Sequence, residues 1–172
     1  MKIMATEVLV SVEDYLRTSY HPDCDYLDGE VVERNLGEKQ HSRTRREILF
    51  FLGSHYTRLR EQLLPEQRVQ VRANRYRIPD ICIIAAEAAD QEIITTPPDL
   101  CIEILSPEDT MTGTLDRIKD YFHMGVPTCW IIDPVNRAGW TATPGHLQEP
   151  PDGILRANGI EMPLAEVLEQ SK

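Results

Sequence analysis

Two carboxylates stand where the chain is otherwise built to exclude water. Glu103 interrupts the run Leu100, Cys101, Ile102, Ile104 and Leu105, bounded by Pro97-Pro98 and Ser106-Pro107, and Asp80 opens the run Ile81 to Ile84 directly after Pro79. Apolar runs of this length between turn residues read as buried strands. An ionised carboxylate inside such a strand is unfavourable by several kcal/mol unless a cation or good hydrogen bonds compensate it. Alternation puts Glu103 on the face of Cys101 and Leu105, opposite Leu100, Ile102 and Ile104. Neighbouring strands lie under about 5 Å apart, so acids in consecutive core strands can converge on one cation. Oxygen ligands of this kind suit magnesium, which keeps waters for chemistry. A cation held this way polarises a phosphodiester and lowers the pKa of an attacking water. The blander readings are a glutamate at a sheet edge or paired with an arginine, and an aspartate that serves only a turn.

Other candidates are weaker one by one. Glu30 follows the Asp28-Gly29 turn and is either a solvated flank or an acid aimed into a site. His41, Arg43, Arg45 and Arg46 open a long helix. They are either a solvated face or a phosphate-facing patch, one of the few basic spots on this chain. Lys119 sits in a later helix, where most lysines are exposed.

The elements that must position these residues follow from the spacing. Ser11 caps a first helix over 11–20, with Asp14 where a capping-box acid helps and His21-Pro22-Asp23 as its end. Residues 25–33 read as a hairpin about Asp28-Gly29. After a polar loop at 34–40, Ile48, Leu49, Leu52, Tyr56, Leu59 and Leu63 predict one helix over 40–63. Residues 68–84 read as two strands joined near Asn74, with Pro79 marking a strand start, bulge or edge. The strand at 100–105 precedes a helix running to Met124, with Gly125 as its left-handed stop. Residues 128–133 are a further buried strand, 139–143 a short edge strand carrying Trp140, and a last helix begins near Pro163.

At 172 residues one domain over 1–172 is expected. The net charge of −10 argues against nucleic-acid binding over the whole surface, so any such contact must be local. Cys24, Cys82, Cys101 and Cys129 are scattered without a Cys-x-x-Cys pair, three of them in apolar runs; they read as small buried hydrophobes in a reducing compartment. Glu7 interrupts any signal-peptide core early and no run approaches the length of a membrane span, so a cytoplasmic protein with no membrane partner is expected.

Taken together, several segments resemble the Uma2 family: Ile-Pro-Asp at 78–80, Pro-Pro-Asp-Leu-Cys-Ile-Glu-Ile-Leu-Ser-Pro at 97–107, Lys-Asp-Tyr at 119–121 and Gly-Val-Pro-Thr-Cys-Trp-Ile-Ile-Asp-Pro at 125–134. Tyr-Leu-Asp-Gly-Glu at 26–30 and His41 at a helix start fit the same pattern, over roughly residues 8–142. The resemblance implies the PD-(D/E)XK nuclease superfamily and an α/β (α+β), restriction-endonuclease-like fold, a mixed central sheet flanked by helices. It implies Asp80 and Glu103 as metal ligands and catalytic acids, Glu30 as a third acid, and Mg2+ or Mn2+ as cofactor. Leu105 stands where the superfamily's strand lysine would be, and Lys119 is the implied migrated lysine. Nucleic acid is the implied partner, DNA before RNA, and a homodimer is expected of an enzyme that cuts a duplex. Two functions of different classes follow: a metal-dependent nuclease, or an inactive nucleic-acid- or protein-binding module on the same fold.

Overall fold

The computed structural model describes residues 9–34 and 38–170. The reading of the first seven residues and the middle of the 34–40 loop therefore lie outside the described residues. The first helix, α1 (Val12–Arg17), is capped as expected, with the Ser11 hydroxyl accepting from the Asp14 N–H at 3.1 Å. Strands β1 (Cys24–Leu27) and β2 (Glu30–Glu33) pair antiparallel about Asp28 and Gly29, at φ 54° and 108°, both of which a tight hairpin turn demands. Strands β4 (Val69–Arg72) and β5 (Arg75–Arg77) join them in a four-stranded sheet ordered β2-β1-β5-β4.

The main sheet has six strands. It contains β3 (Leu63–Pro65), β6 (Ile81–Ile83), β7 (Leu100–Ile104), β8 (Cys129–Asp133), β9 (Ala138–Thr143) and β10 (His146–Gln148), in the order β10-β9-β8-β7-β6-β3. Only β7 and β8 run parallel, joined through α3 (Met111–Met124), so the sheet is mixed. Helix α3 ends at Gly125, whose φ of 110° suits a glycine stop. On one face Leu100, Ile102, Ile104, Trp130 and Ile132 pack with Ile48, Phe51 and Leu52 of α2 (Lys39–His55) and with α4 (Leu164–Gln170). On the other, Cys82, Cys101, Cys129 and Ile131 pack with Ile118 and Tyr121 of α3 and Val69 and Val71 of β4. All four cysteines are free and buried. Among the described residues no helix is long and apolar enough to cross a membrane.

Four expectations are corrected. Residues 68–84, read as two strands, form three, with β4 and β5 in the four-stranded sheet and β6, beyond Pro79, in the main sheet. The long helix stops at His55; Leu59 lies in a 3-10 turn, and Leu63 belongs to β3, opposite Ile83. Leucines at three- and four-residue steps serve a helix, a turn and an edge strand equally, and the edge of β6 is what β3 satisfies. Strand β9, expected at an edge, lies inside, because the polar and exposed β10 pairs with it. The hairpin of β11 (Ile154–Ala157) and β12 (Ile160–Pro163) was not expected, although Asn158-Gly159 at its turn is a strong hairpin signal.

Candidate active site

Strand register brings the two acids together. Ile81 pairs with Ile102 across β6 and β7, and continuing that antiparallel register by one residue sets Asp80 opposite Glu103. Asp80 shares the face of Cys82, and Glu103 that of Cys101, so both point to the α3 side. They line a cleft of about 20 Å³ with Arg34, His41, Ile104, Ser106, Asp109 and Arg117, room for about one water. Asp80 and Glu103 are 3% and 1% exposed, so compensation must come from the protein. Arg34 Nη2 donates to Asp80 Oδ1 at 2.7 Å. The Ile104 N–H donates to Asp80 Oδ2 at 2.8 Å, and His41 Nε2 lies 3.3 Å from the same oxygen. The Tyr121 hydroxyl donates to Glu103 Oε1 at 2.6 Å, and Arg117 Nε is 3.3 Å from Oε2. Arg117 Nη2 also donates to Asp109 Oδ1, while Asp109 Oδ2 accepts from the Ser106 N–H and hydroxyl.

The two acids are pushed in opposite directions. Burial raises Glu103 to about 7; Arg117 opposes the shift and the neighbouring Asp80 adds to it. Burial also works against the ionised Asp80, but the His41 hydrogen bond and the Arg34 charge outweigh it and hold Asp80 below the usual carboxylate range. Acids with environments this different can divide acid and base roles at neutral pH. His41 Nδ1 and Arg117 Nε are buried and have no hydrogen-bond partner among the described residues, the Arg117–Glu103 approach being an ion pair without hydrogen-bond geometry.

The Uma2 family model, described as "Putative restriction endonuclease", matches residues 12–159. The chain belongs to the Uma2 family. A crystal structure from Anabaena variabilis, titled a "putative nuclease belonging to DUF820", superposes with a TM-score of 0.80 at 19% identity, covering 95% of this chain and 99% of that one. That likeness is one of fold. No curated protein matches the chain.

Within this Uma2 fold the expected site residues divide. Asp80, Glu103 and His41 are brought together. Glu30 is exposed at the start of β2, opposite Leu27, and is not among the residues lining the cleft. Lys119 is not brought to Glu103: its side chain is 68% exposed and its Nζ lies 2.9 Å from Asp116 Oδ1. Arg117 is the cation of α3 that reaches the acid, because it shares a helical stripe with the buried Thr114 and Tyr121, three residues after one and four before the other. Arg45 pairs with Glu66 at 2.6 Å, Arg46 with Glu47, and Arg43 is half-buried. Arg34, Arg117, Tyr121 and Asp109 are the residues that sequence reasoning missed.

The carboxylates as they stand do not fit a divalent cation. Each of their four oxygens already faces a donor of this chain: Arg34, Ile104 N–H with His41, Tyr121 and Arg117. The two guanidinium charges match the two carboxylates. Among the described residues no group of three His, Cys, Asp or Glu side chains is arranged to hold a metal.

Proposed function

We propose that the protein hydrolyses phosphodiester bonds of nucleic acid at the Asp80–Glu103 cleft. The observation that carries this reading is the juxtaposition of two buried acids, displaced in opposite directions, with two arginines in one cleft of a Uma2 chain. Arg34 and Arg117 suit the oxygens of a phosphodiester, since a planar guanidinium matches phosphate geometry. Arg117 takes the place of the electrostatic stabiliser for charge developing on phosphorus, a role Leu105 cannot fill. Glu103, near 7, can accept the proton of an attacking water at neutral pH. Asp80 stays ionised and holds Arg34 and His41. Arg43, Arg45 and Arg46, at the start of α2, extend the basic surface along a nucleic-acid backbone. DNA is the substrate proposed first, in a homodimer. Nucleases of the restriction-endonuclease type generally use a divalent metal; Asp80 and Glu103, the ligands that the family resemblance implies, are here already paired with Arg34, His41, Tyr121 and Arg117.

The test is cleavage of plasmid DNA and of RNA by the wild type, Asp80→Asn and Glu103→Gln, with and without Mg2+ or Mn2+. The reading expects wild-type cleavage and loss in both variants. Cleavage at the wild-type rate by both variants would overturn it. The second reading, a binding module without chemistry, draws on the neutralised carboxylates and on Leu105. It expects DNA binding with no cleavage under any condition.

A further inference from the structure

We infer that a cavity between α2 and α4 is a second site, one that takes a small organic cation with an apolar body. Its volume is about 430 Å³, within the range of small-molecule sites. Phe50, Phe51 and Val167 supply its apolar lining, and Glu47, Glu166 and Glu169 its charge. Phe50 is the residue that folding does not explain. It is 71% exposed, more than any other large apolar side chain among the described residues. It stands outside the buried set of α2, which is His41, Thr44, Ile48, Phe51 and Leu52. An aromatic ring adds nothing to helix propensity at such a position. A lone exposed apolar residue needs no reason, but this ring borders a second aromatic wall. Phe51 and His55 stack there with ring centroids 4.1 Å apart and 23° between planes.

The charge selects the ligand. Glu166 and Glu169 stand one turn apart on α4, both exposed, and neither has an ion pair with a described residue. Helix α4 carries no basic side chain to offset them. Glu47 accepts from Arg46 through Oε1 and leaves Oε2 for a further donor. These acids repel a nucleic-acid backbone or an anionic surface, and a second copy of a chain of net charge −10 would bring the same acids with it. A cation is drawn to the carboxylates and to the faces of the rings alike. The apolar lining asks for an apolar body beside the charge, and a cavity of this size holds a small molecule rather than a helix, which is about 10 Å across. The cavity is separate from the Asp80–Glu103 cleft. Phe51 lies about 15 Å along α2 from His41 and packs on the opposite face of the main sheet from Cys82 and Cys101, whose face the two acids share. Glu166 and Glu169 also lie beyond residues 12–159, which the family model matches, so the inference rests on this chain's own residues and not on the nuclease reading.

Titration of the isotope-labelled protein with phenylbutylamine, followed by amide chemical shifts, tests this. Saturable shifts should centre on Phe50, Phe51, His55 and Val167 and leave Asp80 and Glu103 in place. Phenylbutanoate, the same body with the opposite charge, should not bind there, and butylamine, the same charge without the ring, should bind more weakly. Glu166→Gln with Glu169→Gln should weaken phenylbutylamine binding by about tenfold or more, the scale of two charges removed at a surface. Phe50→Ala should weaken it by about threefold or more. All three positions are exposed, and the wild-type arms decide by themselves should a variant fail to fold. The inference is overturned if phenylbutylamine gives no saturable shift at these residues, if phenylbutanoate binds equally, or if the double variant binds as tightly as wild type. Butylamine binding as tightly as phenylbutylamine would reduce the cavity to an acidic surface and overturn it too. An acetylated Phe-Lys amide that shifts these signals where phenylbutylamine does not would assign the cavity to a protein partner and overturn the small-molecule site. No arm reads cleavage, so failure here leaves the nuclease reading untouched.

Discussion

Glu103 and Asp80 are acids in apolar runs, an energetic anomaly that strand alternation assigns to one face. Which cation of α3 meets Glu103 depends on the rotation of that helix against the sheet: the buried Thr114 turns Arg117 toward the acid and leaves Lys119 exposed. The opposed shifts of the two acids give a pH signature. Folded Glu103 binds its proton up to about 7, against an ordinary 4.5, so between those values the folded chain holds more proton than the unfolded and stability falls as pH rises. Asp80, held low, contributes in the opposite sense: its stabilisation is present above its unfolded pKa and is lost as pH falls into the acid range. Glu103→Gln should therefore gain melting temperature over wild type at pH 8 relative to pH 5, and an equal difference at both pH values would contradict this. Tyr121→Phe removes the hydroxyl that donates to Glu103 Oε1 and should lower stability by about 1–3 kcal/mol, read by urea unfolding above neutral pH.

At the scale of elements, the four-stranded sheet is fastened to α3 by buried charge. Arg77 donates to Asp120 Oδ2 at 2.8 Å and to Asp25 Oδ2 at 2.8 Å, and Arg75 adds a bond to Asp120 at 3.0 Å. Asp25 also accepts from the Ile78 N–H, two residues before Asp80, so this network sets the entry of β6. Arg77→Met should cost about 3–5 kcal/mol, because it leaves two buried carboxylates short of their main cation; urea unfolding that moves by less than about 1 kcal/mol would show the network to be dispensable. Such a network could not be read from the chain, since its members stand far apart and only packing pairs them. The hairpin at Asp28-Gly29 and the cap at Ser11 were readable because their determinants are local. The end of α2 was not, because its leucine spacing suits more than one structure.

For the whole molecule, the net charge of −10 requires the proposed nucleic-acid contact to be local, and Arg34 and Arg117 line the cleft where it would be made. Binding should weaken steeply as salt is raised, with a slope reflecting the few phosphates contacted. Strand β10 is exposed along His146–Gln148 at one edge of the main sheet, and Trp140, first placed at an edge, lies one strand inward. A dimer that cuts both strands of a duplex should appear in light scattering at twice the 19.7 kDa of the chain; a monomer mass at tens of micromolar would count against it. The mixed order of the main sheet was legible only through likeness to Uma2 sequences, since pairing between distant strands leaves no local mark. The most direct measurement is the cleavage rate of plasmid DNA with Mn2+ for wild type, Arg117→Ala and Lys119→Ala. A cleft acting through Arg117 predicts a loss on the order of a hundredfold or more in Arg117→Ala and a wild-type rate in Lys119→Ala. Full cleavage by Arg117→Ala, or its loss in Lys119→Ala alone, would contradict it.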